Sequence, residues 1–203
     1  MHTHPNIKRL KRNDTILVAI DLQERLMPAI HRGEELTELS ARLIRGCRVL
    51  GVPVLATQQY TRGLGATVDA ARAALTEPLP PDKDGAGAVP AADFAPVEKT
   101  SFSAAGEPEF MRRLKESGKK SVLICGTEAH VCVLQTVLDL LAAGFDVFFA
   151  ADVVSSRKRS DAEAAFRRMA AAGATEMSYE SALFELLEGA KESGFKQISA
   201  LVK

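Results

Sequence analysis

At Gly51, Gly118, Gly144 and Gly173 an amphipathic stretch with helical spacing stops at a glycine and a short apolar run follows. Glycine adopts the left-handed conformation that ends a helix and turns the chain back. A helix, a return and a buried strand, repeated, describe parallel strands joined by crossovers, because parallel neighbours cannot be linked by a hairpin. The strands must then be covered on both faces, which explains why they read as continuous apolar runs rather than alternating ones. The apolar runs predict strands over residues 15–21 (TILVAID), 52–57 (VPVLAT), 94–98, 121–125 (SVLIC), 145–150 and 174–177. Helices are expected over 34–50, 107–117, 131–143, 160–172, 181–188 and 195–202, with Ser160 as an N-cap. The expected architecture is α/β: a three-layer, Rossmann-like fold with a parallel sheet between two layers of helices. A length of 203 residues fits one domain over 1–203, with residues 1–13 as an N-terminal extension. The stretch EPLPPDKDGAGAVPAA at 77–92 reads as a flexible loop.

Basic and acidic residues balance at 26 each, so the sequence carries no field that would draw nucleic acid. No apolar run reaches the length of a membrane span, and the basic first residues lack the apolar core of an export signal. A cytoplasmic protein acting on a small molecule is the expectation. The cysteine count of three argues against a disulfide framework. Cys47 falls on a helical apolar stripe with Leu36, Leu39, Leu43 and Leu50, and Cys125 lies inside a strand; both read as small buried hydrophobes.

Cys132 is different. In KKSVLICGTEAHVCVLQTVLDLLAAG the strand is broken at Gly126 and the helix begins near Val131, so Cys132 sits in the first helical turn at the carboxyl end of a strand. Open parallel sheets bind ligands at that edge. Helix N–H groups there lower a thiol pKa and hold an oxyanion, so Cys132 is a candidate nucleophile. Asp21 ends the first strand, where it is either the N-cap of a turn over 22–26 or a general base at the same edge. Lys99 follows the third strand; it is either a surface lysine or a cation placed to pair with Asp21 and favour a thiolate. His130 is too close in sequence to Cys132 to face it, and His31 is a more distant candidate base. No spacing of His and carboxylates suits a zinc or iron site. GLG at 63–65 reads as a turn, and Gln58, Gln59 and Tyr60 as exposed loop or substrate contact.

Asp21 in ILVAIDLQ, Lys99 in VEKTSFSA and Cys132 in ICGTEAHVCVLQT, in that order, resemble the isochorismatase-like cysteine hydrolase superfamily. TQQYTRGLG and the motif ending in DVVSSR look closest to its isochorismatase-domain-containing subgroup. The resemblance implies a six-stranded parallel sheet of order 3-2-1-4-5-6 and a catalytic triad of Asp21, Lys99 and Cys132. It also implies a cis peptide between Thr127 and Glu128, an oxyanion hole from the Glu128 and Cys132 N–H groups, and a homo-oligomer. Gln23 is expected to orient Asp21 or a water, and Gln58, Tyr60 and Phe102 to wall the substrate pocket. The Asp-x-His motif of metal-dependent nicotinamidases is replaced by Thr57-Gln58-Gln59-Tyr60, so neither a metal nor another cofactor is expected. The expected activity is hydrolysis of a small amide-like substrate through a thioester. The alternatives are vinyl-ether hydrolysis of the isochorismatase kind, or a binding or redox-thiol protein on the same fold.

Overall fold

The strands are β1 (Thr15–Ile20), β2 (Val54–Gln59), β3 (Val97–Lys99), β4 (Ser121–Thr127), β5 (Asp146–Ser155) and β6 (Thr175–Met177). The computed structural model describes residues 8–81 and 88–203. All neighbouring strands run parallel, in the order β3-β2-β1-β4-β5-β6. The helices are α1 (Gly33–Val49), α2 (Thr61–Leu64), α3 (Asp69–Thr76), α4 (Pro108–Glu116), α5 (Leu134–Ala142), α6 (Arg159–Ala171), α7 (Tyr179–Leu187) and α8 (Phe195–Leu201).

Alternation along β1 divides the core. Leu17 and Ala19 face one side with residues of α1, α3, α7 and α8. Ile16, Val18 and Ile20 face the other with residues of α4, α5 and α6. The four expected return glycines all have positive φ, between 67° at Gly118 and 107° at Gly173. N-terminal residues 8–13 pack against the domain: Leu10 is buried, and the Arg12 guanidinium donates to the Leu50 carbonyl. Of the stretch 77–92, residues 82–87 lie outside the described residues; the flanks meet in an antiparallel bridge between Leu79 and Val89.

Several boundaries differ from the sequence expectation. β2 begins and ends two residues later, because Pro53 has no N–H for the ladder and because Thr57, Gln58 and Gln59 pair with β3. Gln58 and Gln59 are therefore buried strand residues, not loop residues. Gly126 does not break β4; it continues the strand at φ 120°, where a Cβ would meet the Ile20 carbonyl oxygen at 1.9 Å. β5 runs on to Ser155, past a register shift opposite Ile124 and Gly126, so DVVS belongs to the sheet. α6 starts at Arg159 after Lys158, with no side-chain cap from Ser160. α2 and α3, both on the chain between β2 and β3, add two helices beyond those expected.

The strand order reverses between β1 and β4. Crossovers from β1 run outward to β2 and β3, and those from β4 run outward to β5 and β6. The carboxyl ends of β1 and β4 thus flank the crevice where open α/β sheets take ligands.

Candidate active site

Asp21 follows β1 with φ 48°, a left-handed conformation that Asp tolerates better than most residues. Its backbone carbonyl accepts from Thr127 Oγ1 at 2.9 Å, tying the ends of β1 and β4 together. The side chain is fully buried. Oδ1 accepts from Thr57 Oγ1 at 2.7 Å. Oδ2 lies 2.8 Å from Lys99 Nζ and takes no further hydrogen bond. Asp21 caps no helix; a turn over Met27–Ala29 follows instead.

Lys99, the last residue of β3, is 1 % exposed, so it is not a surface lysine. Its long stem reaches past β2 to β1. Besides Asp21, Nζ donates to Gln59 Oε1 at 2.6 Å, to the Phe102 carbonyl at 2.9 Å and more distantly to the Ser101 carbonyl at 3.4 Å. An ammonium has three protons. Gln59 and Phe102 accept two of them, and the ion pair with Asp21 holds the ammonium at the crevice, within reach of the thiol.

The peptide bond joining Thr127 to Glu128 is cis. The chain then enters a wide turn over Ala129–Val133, in which both the Val131 and Val133 N–H groups donate to the Glu128 carbonyl at 3.1 Å. Cys132 lies in this turn and is 7 % exposed. Its thiol is within hydrogen-bonding reach of both Asp21 and Lys99. Burial, and secondly the Asp21 charge, push the thiol up to about 12, against the opposing pull of Lys99. The expectation of a depressed thiol pKa is therefore corrected. In this nearly closed crevice loss of solvent disfavours the thiolate.

Asp21, Lys99 and Cys132 thus share one crevice. The remaining expected site residues are distributed around it. Gln23 is buried and bonded away from Asp21: Nε2 donates to the carbonyls of Gln59 at 3.0 Å and Gly65 at 2.7 Å, and Oε1 accepts from the Gln59 N–H at 2.7 Å. It clamps the end of β2 and orients neither Asp21 nor the thiol. Gln58 is bonded to Thr61 and Thr67. Tyr60, 52 % exposed, and Phe102, 55 % exposed, adjoin the residues that hold Lys99. The Glu128 carboxylate turns to Arg157, with Oε1 at 2.8 Å from Nε. His130 Nδ1 lies 2.9 Å from Ser156 Oγ, and His31 lines a separate cleft of about 400 Å³ beside Arg32, Glu35 and Asp152. Neither histidine serves the thiol. Among the described residues, no group of His, Cys, Asp and Glu side chains is arranged to hold a metal.

Thr57 and Thr136 had no expected role, and Gln59 was expected as exposed loop or substrate contact; all three instead hold the central residues. Thr57 and Gln59 are two apart on β2 and meet the buried charges from one side. That periodicity becomes visible only once β2 is extended to Gln59.

The sheet order and the buried acid, cation and thiol at its switch point define a hydrolase fold of the isochorismatase kind. The family model described as the isochorismatase domain matches residues 15–181, and the chain belongs to this family. It is 38% identical over 190 residues to isochorismatase domain-containing protein 1 of Salmo salar, an alignment covering 93% of this chain. The chain spans 61% of that relative's length. It superposes with TM-score 0.83 on a structure described as the MAR1 ribonuclease of Caenorhabditis elegans, at 34% identity, covering 96% of this chain and 92% of that one. YcaC of Pseudomonas aeruginosa, described with hexane-2,5-diol and covalent acrylamide, matches with TM-score 0.83 at 25% identity over 99% of this chain and 93% of its own. Among the described residues, no helix is long and apolar enough to cross a membrane.

Proposed function

We propose that this chain is a metal-independent cysteine hydrolase that cleaves a small amide-like substrate through a thioester on Cys132. The observation that carries this reading is Asp21 Oδ2. It is buried, it faces the Lys99 ammonium at 2.8 Å, it accepts no other hydrogen bond and it lies beside a protonated thiol. A carboxylate with a free lone pair next to a thiol that needs a base is placed to take its proton.

As Cys132 Sγ attacks the substrate carbonyl carbon, its proton passes to Asp21 and the carbonyl oxygen becomes an oxyanion. The Glu128 and Cys132 N–H groups are assigned to hold that oxyanion; the Glu128 N–H has no acceptor among the described residues. One such donor contributes about 3 kcal/mol in comparable sites. The C–N bond then breaks, and Asp21 returns the proton to the leaving nitrogen. A water attacks the thioester carbon, gives its proton to Asp21, and the acid leaves as Cys132 recovers the thiol proton. Lys99 is assigned as the positive charge that stays beside Asp21 and steadies the sulfur as it loses its proton. Tyr60 and Phe102, exposed beside the crevice, are assigned as substrate walls.

A redox-sensing role fits less well, since Cys132 is itself buried and Cys47 and Cys125, the other two cysteines, are enclosed in the core. The test is incubation with an amide library followed by mass spectrometry. An acyl adduct on Cys132, absent in Cys132→Ala, supports the reading. A Cys132→Ala variant that turns over amides at the wild-type rate rules it out, and one that retains vinyl-ether hydrolysis would move the assignment to that chemistry.

A further inference from the structure

Lys99 ends β3, and Cys132 lies in the turn that follows β4, a strand that does not touch β3. β3 is a three-residue edge strand whose ladder runs only to β2, at Thr57–Gln59. β2 and β1 separate it from β4, a displacement of about 14 Å at ordinary strand spacing. Through the sheet the ammonium and the thiol are linked only by way of β2, β1 and Asp21. A hydroxyl on α5 makes the connection directly. Thr136 Oγ1 donates to the Cys132 carbonyl at 2.7 Å and accepts the Ala104 N–H at 2.9 Å. Ala104 ends the loop whose Ser101 and Phe102 carbonyls hold Lys99 Nζ. The other side of that loop is held by Glu107, whose Oε1 accepts from the Thr100 N–H, the Ser101 N–H and Ser101 Oγ. Thr136 and Ala104 are both fully buried, so no water replaces either bond. A helical Thr commonly bonds to the carbonyl four residues back; accepting an amide from another chain segment at the same time is what joins the two halves of the site.

We propose that Thr136 is a positioning residue. Its hydroxyl sets the Cys132 turn against the Lys99 loop, and so places the thiol against Asp21 for proton transfer. The proposal rests on the hydrolase reading.

The test uses the full chain and p-nitrophenyl acetate, an acyl donor that reports attack by Cys132 as a burst of nitrophenolate at neutral pH. In Asp21→Asn the group placed to take the thiol proton is gone, so the burst slows. Thr136→Val keeps the side-chain shape and removes both hydrogen bonds; its acylation rate falls about ten-fold or more, as misplacing reacting groups does. Thr136→Ser restores the hydroxyl and stays within about three-fold of wild type. In the Asp21→Asn background, Thr136→Val slows acylation by less than about two-fold, because groups acting through one interaction are not additive. Melting temperatures verify that each variant is folded. A Thr136→Val rate within about two-fold of wild type, or an equal slowing in both backgrounds, overturns the positioning role and leaves the hydrolase reading standing. A wild-type rate in Asp21→Asn overturns both.

Discussion

Replacing Lys99 by Met removes the partner of a carboxylate that has no access to water. Both side chains of the Asp21–Lys99 pair are 0% exposed. Without Lys99, Asp21 keeps only the Thr57 hydroxyl and the thiol as polar neighbours. Breaking a buried ion pair from one side costs about 3–5 kcal/mol. For a domain of this size that corresponds to a fall in Tm of roughly 6–20 °C. Asp21→Asn is milder, about 2 kcal/mol, because the Lys99 ammonium retains two acceptors that are themselves neutral, Gln59 Oε1 and the Phe102 carbonyl. The double variant Asp21→Asn/Lys99→Met buries no charge at this position and recovers stability relative to Lys99→Met. Urea unfolding followed by far-ultraviolet circular dichroism measures all four corners of the cycle. A Lys99→Met loss below about 1 kcal/mol, or additive single losses in the double variant, would mean that the two charges are not coupled in a dry site.

Alkaline stability reports the buried thiols. Burial pushes Cys125 and Cys132 up to about 12 from a reference of 9.0, and Cys47 higher still. The folded state therefore keeps protons that the unfolded chain releases, and stability complete below about pH 9 is lost as pH rises toward 12, by about 1.4 kcal/mol per unit for each thiol. Cys125→Ala should show a decline shallower by that amount in urea titrations across the range, and an unchanged slope would contradict the assigned burial. Ultraviolet thiolate absorbance of the wild type should show no Cys132 ionisation near pH 7; a substantial thiolate signal there would restore the depressed-pKa reading. Gly126→Ala forces a methyl group into the Ile20 carbonyl at a φ of 120°, and should cost about 4 kcal/mol or more or prevent folding. A Tm within a few degrees of wild type would show that β1 and β4 can separate there.

The chain's own pattern was enough to determine the layered fold, because buried parallel strands and glycine returns are local features. Position alone singled out Cys132 but left Asp21 between cap and base and Lys99 between surface lysine and partner; the three were joined as a set only by the family resemblance of their motifs. The ends of β2, β4 and β5 were not legible. Gln58 and Gln59 look like loop residues until β3 pairs with them, Gly126 looks like a stop until Ile20 lies against it, and the register shift in β5 hides the length of that strand. Gln23 was read as part of the chemistry, but only coordinates show it holding the β2 end. The protonation of Cys132 also lay beyond the sequence, which reveals a helix end and its dipole but not the enclosure around it. Desolvation depends on every segment that closes over a group, and the groups that meet here, Asp21, Lys99 and Cys132, lie far apart along the chain. Residue type and local spacing thus determined which side chains are available at the edge, while tertiary packing decided which of them meet, which remain dry and which hold the proton.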